Sequence, residues 1–139
     1  MQQTLAIIKP DAIENNVHGK ILDHILQKGF RIAAAELTWL SEDDARQFYA
    51  VHRGRPFFED LVEFMTSGPC MPMVLEHENA VQYFREIIGA TNPEEAAEGT
   101  VRKLYADSVQ NNAVHGSDSP ENAQKEIAFF FSSRDIIAK

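Results

Sequence analysis

Apolar positions along the chain fall into short runs and helical stripes. Leu5-Ala6-Ile7-Ile8 is an apolar run closed by Lys9-Pro10, which predicts a buried strand. Val17, Ile21 and Ile25, with Leu22 and Leu26 beside them, recur at helical spacing up to the stop signal Gly29. Phe30 to Leu40 reads as a second strand whose imperfect alternation fits a bulge. Ser41 and Asp44 have capping-box spacing for a helix through Phe48. Phe57/Phe58, Leu61/Val62 and Phe64/Met65 form another helical stripe, closed by Ser67-Gly68-Pro69. Cys70 to Leu75 is strand-like, and Pro72 predicts an interruption there because it cannot donate to a ladder. Val81, Phe84 and Ile88 mark a helix ending at Gly89. Ala90 to Tyr105 shows no period and carries turn chemistry at Thr91-Asn92-Pro93, which predicts a long ordered loop of the functional kind. A brief strand is expected near Ala113-Val114-His115. Ser119-Pro120 then opens a last helix through Ala123, Ile127, Phe130 and Phe131.

Two strand-helix-strand units with added helices predict an α+β sandwich, with helices covering a small antiparallel sheet. The 139 residues fit one domain over positions 1–139. Acidic residues outnumber basic ones 21 to 13, a formal charge of −8. That balance disfavours nucleic acid or an anionic membrane as the main partner, since both need a basic footprint. Cys70 is the only cysteine, so no intramolecular disulfide can form. No apolar run approaches the ~18–20 residues of a membrane span. Met1-Gln2-Gln3-Thr4 has no basic n-region, and the expected location is the cytoplasm.

The phosphate-binding pattern G-x-x-x-x-G-K-[ST] is absent: Glu14 stands at the first glycine position, and Ile21 follows Gly19-Lys20. Cys/His pairs at zinc spacing are absent too. The informative stretch is Asn112 to Glu121, which sets His115 at a strand end just before a capped helix. Such a histidine fits either a surface or capping role or that of a covalent nucleophile near neutral pH. The helix N-terminus would favour a phosphate arriving there, and Glu126 on that helix could fold back to orient the imidazole. Lys9 ends a strand, Arg85 lies opposite Val81 and Ile88 on its helix, and Arg102 lies in the irregular segment. Each fits a solvated surface charge, or together with Arg55 a set that neutralises a phosphate chain. Phe57 and Phe58 fit core anchors, and one of them also fits a platform for a base.

Asn112-x-x-His115-Gly116-Ser117-Asp118-Ser119 resembles the signature of nucleoside diphosphate kinases. Ile8-Lys9-Pro10-Asp11-Ala12, Arg55-Pro56-Phe57-Phe58, Phe64 to Pro69, Gly89 to Pro93 and Gly99 to Arg102 follow in the family's order. Tyr105-Ala106-Asp107-Ser108 and the short C-terminus resemble bacterial members. The resemblance implies a ferredoxin-like βαββαβ fold with a four-stranded antiparallel sheet. It implies ping-pong transfer of a γ-phosphate, mainly from ATP, to a nucleoside diphosphate. By the same resemblance His115 carries the phosphate on Nδ1, supported by Ser117 and Glu126. Lys9, Tyr49, Arg85, Thr91, Arg102 and Asn112 would contact phosphates and sugar, Phe57 would stack on the base, and Arg55 would lie near the phosphates. Mg²⁺ would arrive on the nucleotide with no protein ligands, and the chain would form a homo-oligomer, a tetramer or a hexamer of dimers. Two other functions remain open at this point, a nucleic-acid-binding or regulatory module and a phosphohistidine carrier that serves another protein.

Overall fold

In the computed structural model, which describes residues 1–137, four strands form one sheet. They are β1 (Gln2–Ile8), β2 (Arg31–Ala35), β3 (Met71–His77) and β4 (Val114–Gly116), in the order β2-β3-β1-β4. Every pairing is antiparallel. β1 and β2 therefore run parallel to each other on either side of β3, and α1 (Pro10–Glu14) and α2 (His18–Gln27) make the crossover. β3 and β4 are related in the same way about β1, joined through α5 (Ala80–Ile88) and α6 (Val101–Tyr105). Between β2 and β3 lie α3 (Glu42–Phe48) and α4 (Phe58–Met65), and α7 (Pro120–Phe130) follows β4. This is the expected βαββαβ sandwich. The expected domain extends two residues further, to Ala138 and Lys139, which lie outside the described residues.

Both faces of the sheet are covered, which explains why β1 reads as an unbroken apolar run rather than an alternation. Ala6, Ile8, Met73, Leu75 and Val114 face one layer, where Ile21, Ile25, Phe84 and Ile88 pack. Leu5, Ile7 and Val74 face the other, with Ala45, Val62, Met65 and Ile127. The capping box at Ser41 is present, and the Ser119 hydroxyl accepts the Asn122 N–H at the start of α7.

Several expectations need correction. The segment 90–105 is not all loop, because α6 forms at its end, capped by the Thr100 side chain. One-turn helix α1 begins at Pro10, where the sequence suggested only a strand stop. The second strand is shorter than Phe30–Leu40; it ends at Ala35, and a single bridge joins Thr38 to Cys70. Pro72 does not interrupt β3. It pairs opposite Ile7, and its carbonyl accepts the Glu36 N–H. In antiparallel pairing the N and C=O of one residue point the same way, so the missing donor faces Glu36, just past the end of β2.

The expected bulge lies in β2, where the register with β3 shifts between Ile32 and Ala34. Ala33, the extra residue, has its carbonyl bonded by the Ile137 N–H at 2.9 Å, and the Ile137 carbonyl accepts from Arg31 at 2.8 Å.

Gly116 sets how closely α5 approaches β4. A Cβ there would stand 2.8 Å from Phe84 Cδ2 and 3.2 Å from Ile88 Cδ1, and both residues are fully enclosed in the core. Gly116→Ala should therefore lower stability by about 1–3 kcal/mol through overpacking. Urea midpoints measure this, and an unchanged midpoint refutes the tight packing.

Candidate active site

β4 alternates its side chains, so Val114 and Gly116 face α5 while His115 faces α7. His115 Nε2 lies 2.8 Å from Glu126 Oε1. The buried Ser117 hydroxyl donates to the same oxygen at 2.8 Å and accepts the Leu5 N–H at 3.2 Å. Phe48 stands edge-on to the imidazole, 5.6 Å between centroids. An ionised carboxylate only accepts, so this contact selects the tautomer protonated on Nε2. The lone pair then sits on Nδ1, which has no hydrogen-bond partner among the described residues.

A second cluster lies where β1 ends. Buried Lys9 donates from Nζ to Asn112 Oδ1 at 3.0 Å, and Asn112 Nδ2 donates to the Val109 carbonyl at 2.9 Å. Burial pushes the Lys9 ammonium down to about 8, aided by the Arg102 charge and opposed by Asp11. Arg102, on α6, is also buried. Its terminal nitrogens donate to the carbonyls of Gly89 at 2.8 Å and Val114 at 2.9 Å, and its Nε has no partner among the described residues. Burial first, then the Arg85 charge, lowers its guanidinium to about 10.

Ala113 joins the two clusters and is strained. Its φ is +72°, and the Val114 N–H bonds back to the Asn112 carbonyl at 2.8 Å, a three-residue γ-turn. A non-glycine residue held there costs about 1–3 kcal/mol and persists only where its surroundings impose it. The Lys9 N–H donates to the Ala113 carbonyl at 2.9 Å, and the Ala113 N–H donates to Asp11 Oδ2 at 3.1 Å. Burial raises the Asp11 carboxyl above its ordinary range, and the Ala113 N–H works against that.

The remaining expected residues lie around these clusters. Tyr49 is buried beside Phe48 with its hydroxyl unpartnered among the described residues, and burial drives its phenol far up, with smaller contributions from Cys70 and Glu126. Phe57 is 47 % exposed and shares a cleft of about 340 Å³ with Lys9, Leu61 and Val109. Arg85 is exposed and lines a separate, wider hollow of about 780 Å³ with Thr100 and Asp118. Thr91 and Arg55 are exposed, and neither side chain is drawn into a cluster. Sequence reasoning missed Asp11, Phe48 and His52. An acidic residue directly after Lys9-Pro10 was the available signal for Asp11. Nothing local marks His52, whose ring lies 5.2 Å from Phe57.

The family model for nucleoside diphosphate kinase matches residues 2–136. The chain belongs to that family. It is 63% identical over 136 residues to the nucleoside diphosphate kinase of Campylobacter concisus, covering 98% of this chain and 99% of that one. To the nucleoside diphosphate kinase of Nitratiruptor sp. it is 60% identical over 137 residues, covering 99% and 100%. The solved Aquifex aeolicus nucleoside diphosphate kinase superposes with a TM-score of 0.96 at 49% identity, covering 98% of this chain and 99% of that one. The halophilic nucleoside diphosphate kinase of Halobacterium salinarum, solved in complex with CDP, gives 0.95 at 34%, covering 99% and 92%. The chain is therefore a kinase that moves the γ-phosphate of a nucleoside triphosphate to a nucleoside diphosphate by the family's ping-pong route. The family is nucleotide-binding and generally metal-dependent. Among the described residues no helix is long and apolar enough to cross a membrane.

Lys9 gives this kinase a stability signature. Its ammonium titrates near 8 when folded and near 10.5 otherwise, so between these values the unfolded chain binds more protons and stability rises with pH. The burial penalty is complete below pH 8 and fades toward pH 10.5. The stability advantage of Lys9→Met over wild type should shrink by up to roughly 3 kcal/mol across that window. Denaturation at pH 7.5 and pH 10 checks this, and an advantage that stays constant contradicts it.

Proposed function

We propose that the chain, as one kinase domain over residues 1–139, transfers the phosphate through Nδ1 of His115. The observation that carries this reading is the 2.8 Å contact of Nε2 with Glu126, which leaves the lone pair on the opposite nitrogen. In the first half-reaction the Nδ1 lone pair forms a bond to the γ-phosphorus. The bond from that phosphorus to the bridging oxygen breaks, and a nucleoside diphosphate leaves. Glu126, held by Ser117, balances the positive charge that gathers on the imidazole. In the second, a terminal phosphate oxygen of another nucleoside diphosphate attacks the phosphorus, and the N–P electron pair returns to Nδ1.

Lys9, Arg85 and Arg102 supply positive charge for the phosphates, with Tyr49, Thr91 and Asn112 as neutral contacts to phosphate and sugar. Transfer of this kind depends mainly on positioning and charge neutralisation. Arg55 adds charge near the phosphates from outside the cluster. Phe57, half-exposed at the 340 Å³ cleft, supports stacking on the base. The cationic set suits phosphate oxygens and repels a bare divalent ion, so Mg²⁺ would enter as part of the nucleotide and would supply neutralising charge to its phosphates. The proposed location is the cytoplasm, in keeping with a buried free Cys70. The proposed assembly is a homo-oligomer, a tetramer or hexamer of a common dimer. Leu37 and Trp39, each 62 % exposed, offer apolar surface for it, and light-scattering mass identifies which form exists.

His115→Ala should form no phosphoenzyme with γ-labelled ATP, while Glu126→Gln and Ser117→Ala should slow labelling about 10-fold to 100-fold. Acid-labile label on His115→Ala rules out His115 as the carrier. Stacking leaves base edges unread, so rates with the different nucleoside diphosphates should be comparable. A preference of several orders of magnitude for one base contradicts that platform.

A further inference from the structure

We propose that Asp11 is a positioning residue for phosphorylation: its carboxylate holds Ala113 in the left-handed γ-turn that sets Asn112 and His115 in place. The inference rests on the reading of His115 as the phosphate carrier.

Four observations converge on Asp11. Ala113 adopts φ +72°, a conformation that a side chain resists, directly before β4 and two residues from the nucleophile. The turn is closed by only one internal bond, Val114 N–H to the Asn112 carbonyl. External grips must therefore impose it. The Lys9 backbone N–H takes the Ala113 carbonyl, and Arg102 takes the Val114 carbonyl. The Ala113 N–H has Asp11 Oδ2 as its partner, and among the described residues this is the one grip on Ala113 made by a side chain.

The carboxylate is costly where it sits. Asp11 is 7 % exposed, and its Oδ1 has no hydrogen-bond partner among the described residues. A small apolar residue would fill the same space without burying a charge, so packing alone does not account for an acid here. The cost is offset if the acid fixes geometry that the reaction uses. What it fixes lies directly upstream of the site. Asn112 receives the Lys9 ammonium on one side of the turn, and on the other side β4 pairs His115 with Ile7 over a strand of only three residues. If the turn relaxes to negative φ, both ends swing: Asn112 leaves Lys9, and His115 loses its aim past Glu126.

The test uses four purified full-length proteins and measures single-turnover labelling of His115 by γ-labelled ATP, with thermal unfolding alongside. Asp11→Ala should slow labelling about 10-fold to 100-fold. Asp11→Asn keeps an oxygen for the Ala113 N–H and should stay within a few-fold of wild type. The double variant Asp11→Ala/Ala113→Gly removes the left-handed penalty and should recover most of the lost rate, which a merely stabilising acid would not produce. Wild-type labelling in Asp11→Ala overturns the proposal. So does an Asp11→Asn as slow as Asp11→Ala, or a folded double variant with no recovery. Should Asp11→Ala fail to fold, the double variant decides: a folded, active protein supports the proposal, and an unfolded or inert one overturns it. Wild-type protein that takes no label on His115 defeats the carrier reading itself, which separates the two failures.

Discussion

The pairing of β4 with β1 is the constraint on which the rest of the molecule's chemistry depends. β1 is secured along its length by seven residue pairs with β3, whereas β4 meets it over three. So short a ladder has little register specificity of its own. A slip of one residue would turn His115 toward α5 and present Val114 to Glu126. The register is therefore fixed from outside the ladder. Lys9 and Asp11 grip Ala113 at the entry, and Ser117 returns its N–H to the Leu5 carbonyl at the exit. Gly116 lets Phe84 close against the strand from the other face. His115 is thus aimed by its neighbours' backbone as much as by its own strand.

The electrostatics of the site oppose those of the chain. The surface is acidic and the net charge is −8, yet Lys9 and Arg102 are buried together with hydrogen bonds mostly to neutral groups. Each is displaced downward by lost hydration and by a neighbouring positive charge. Such a cluster is unfavourable by itself and favourable once an anion arrives, so free energy withheld from folding is available for binding. An overall acidic balance therefore argues against polyanions as partners and says nothing against a small anion entering one pocket.

Elements whose formation depends on local chemistry were legible in the sequence. The β1 run, the Ser41 capping box and the Ser119-Pro120 start of α7 all rest on neighbouring residues, and all are present. Elements held by distant contacts were not. α6 is one turn long, and Arg102 ties it to Gly89 and Val114, partners far from it in sequence. Pro72 misled because its tolerance depends on where β2 stops. At the site, His115 was visible from its place between strand and cap, and Lys9 from its strand end. Glu126 was visible from its place on the helix that follows His115. Tyr49 looks like an ordinary core residue, and only resemblance singled it out. Ala113 could not be seen at all, since alanine gives no hint of a left-handed turn.

The bulge in β2 has a consequence for how the molecule meets others of its kind. β2 is an outer strand of the sheet, and Ala33 carries a carbonyl that β3 does not take up. Ile137 satisfies that acceptor, and Arg31 ties the same residue down. The end of the described chain thus acts as a selvedge, finishing a border that would otherwise invite a foreign strand. A chain cut before Ile137 would keep the His115–Glu126 pair yet gain a raw edge, and its first defect would be stickiness rather than loss of turnover.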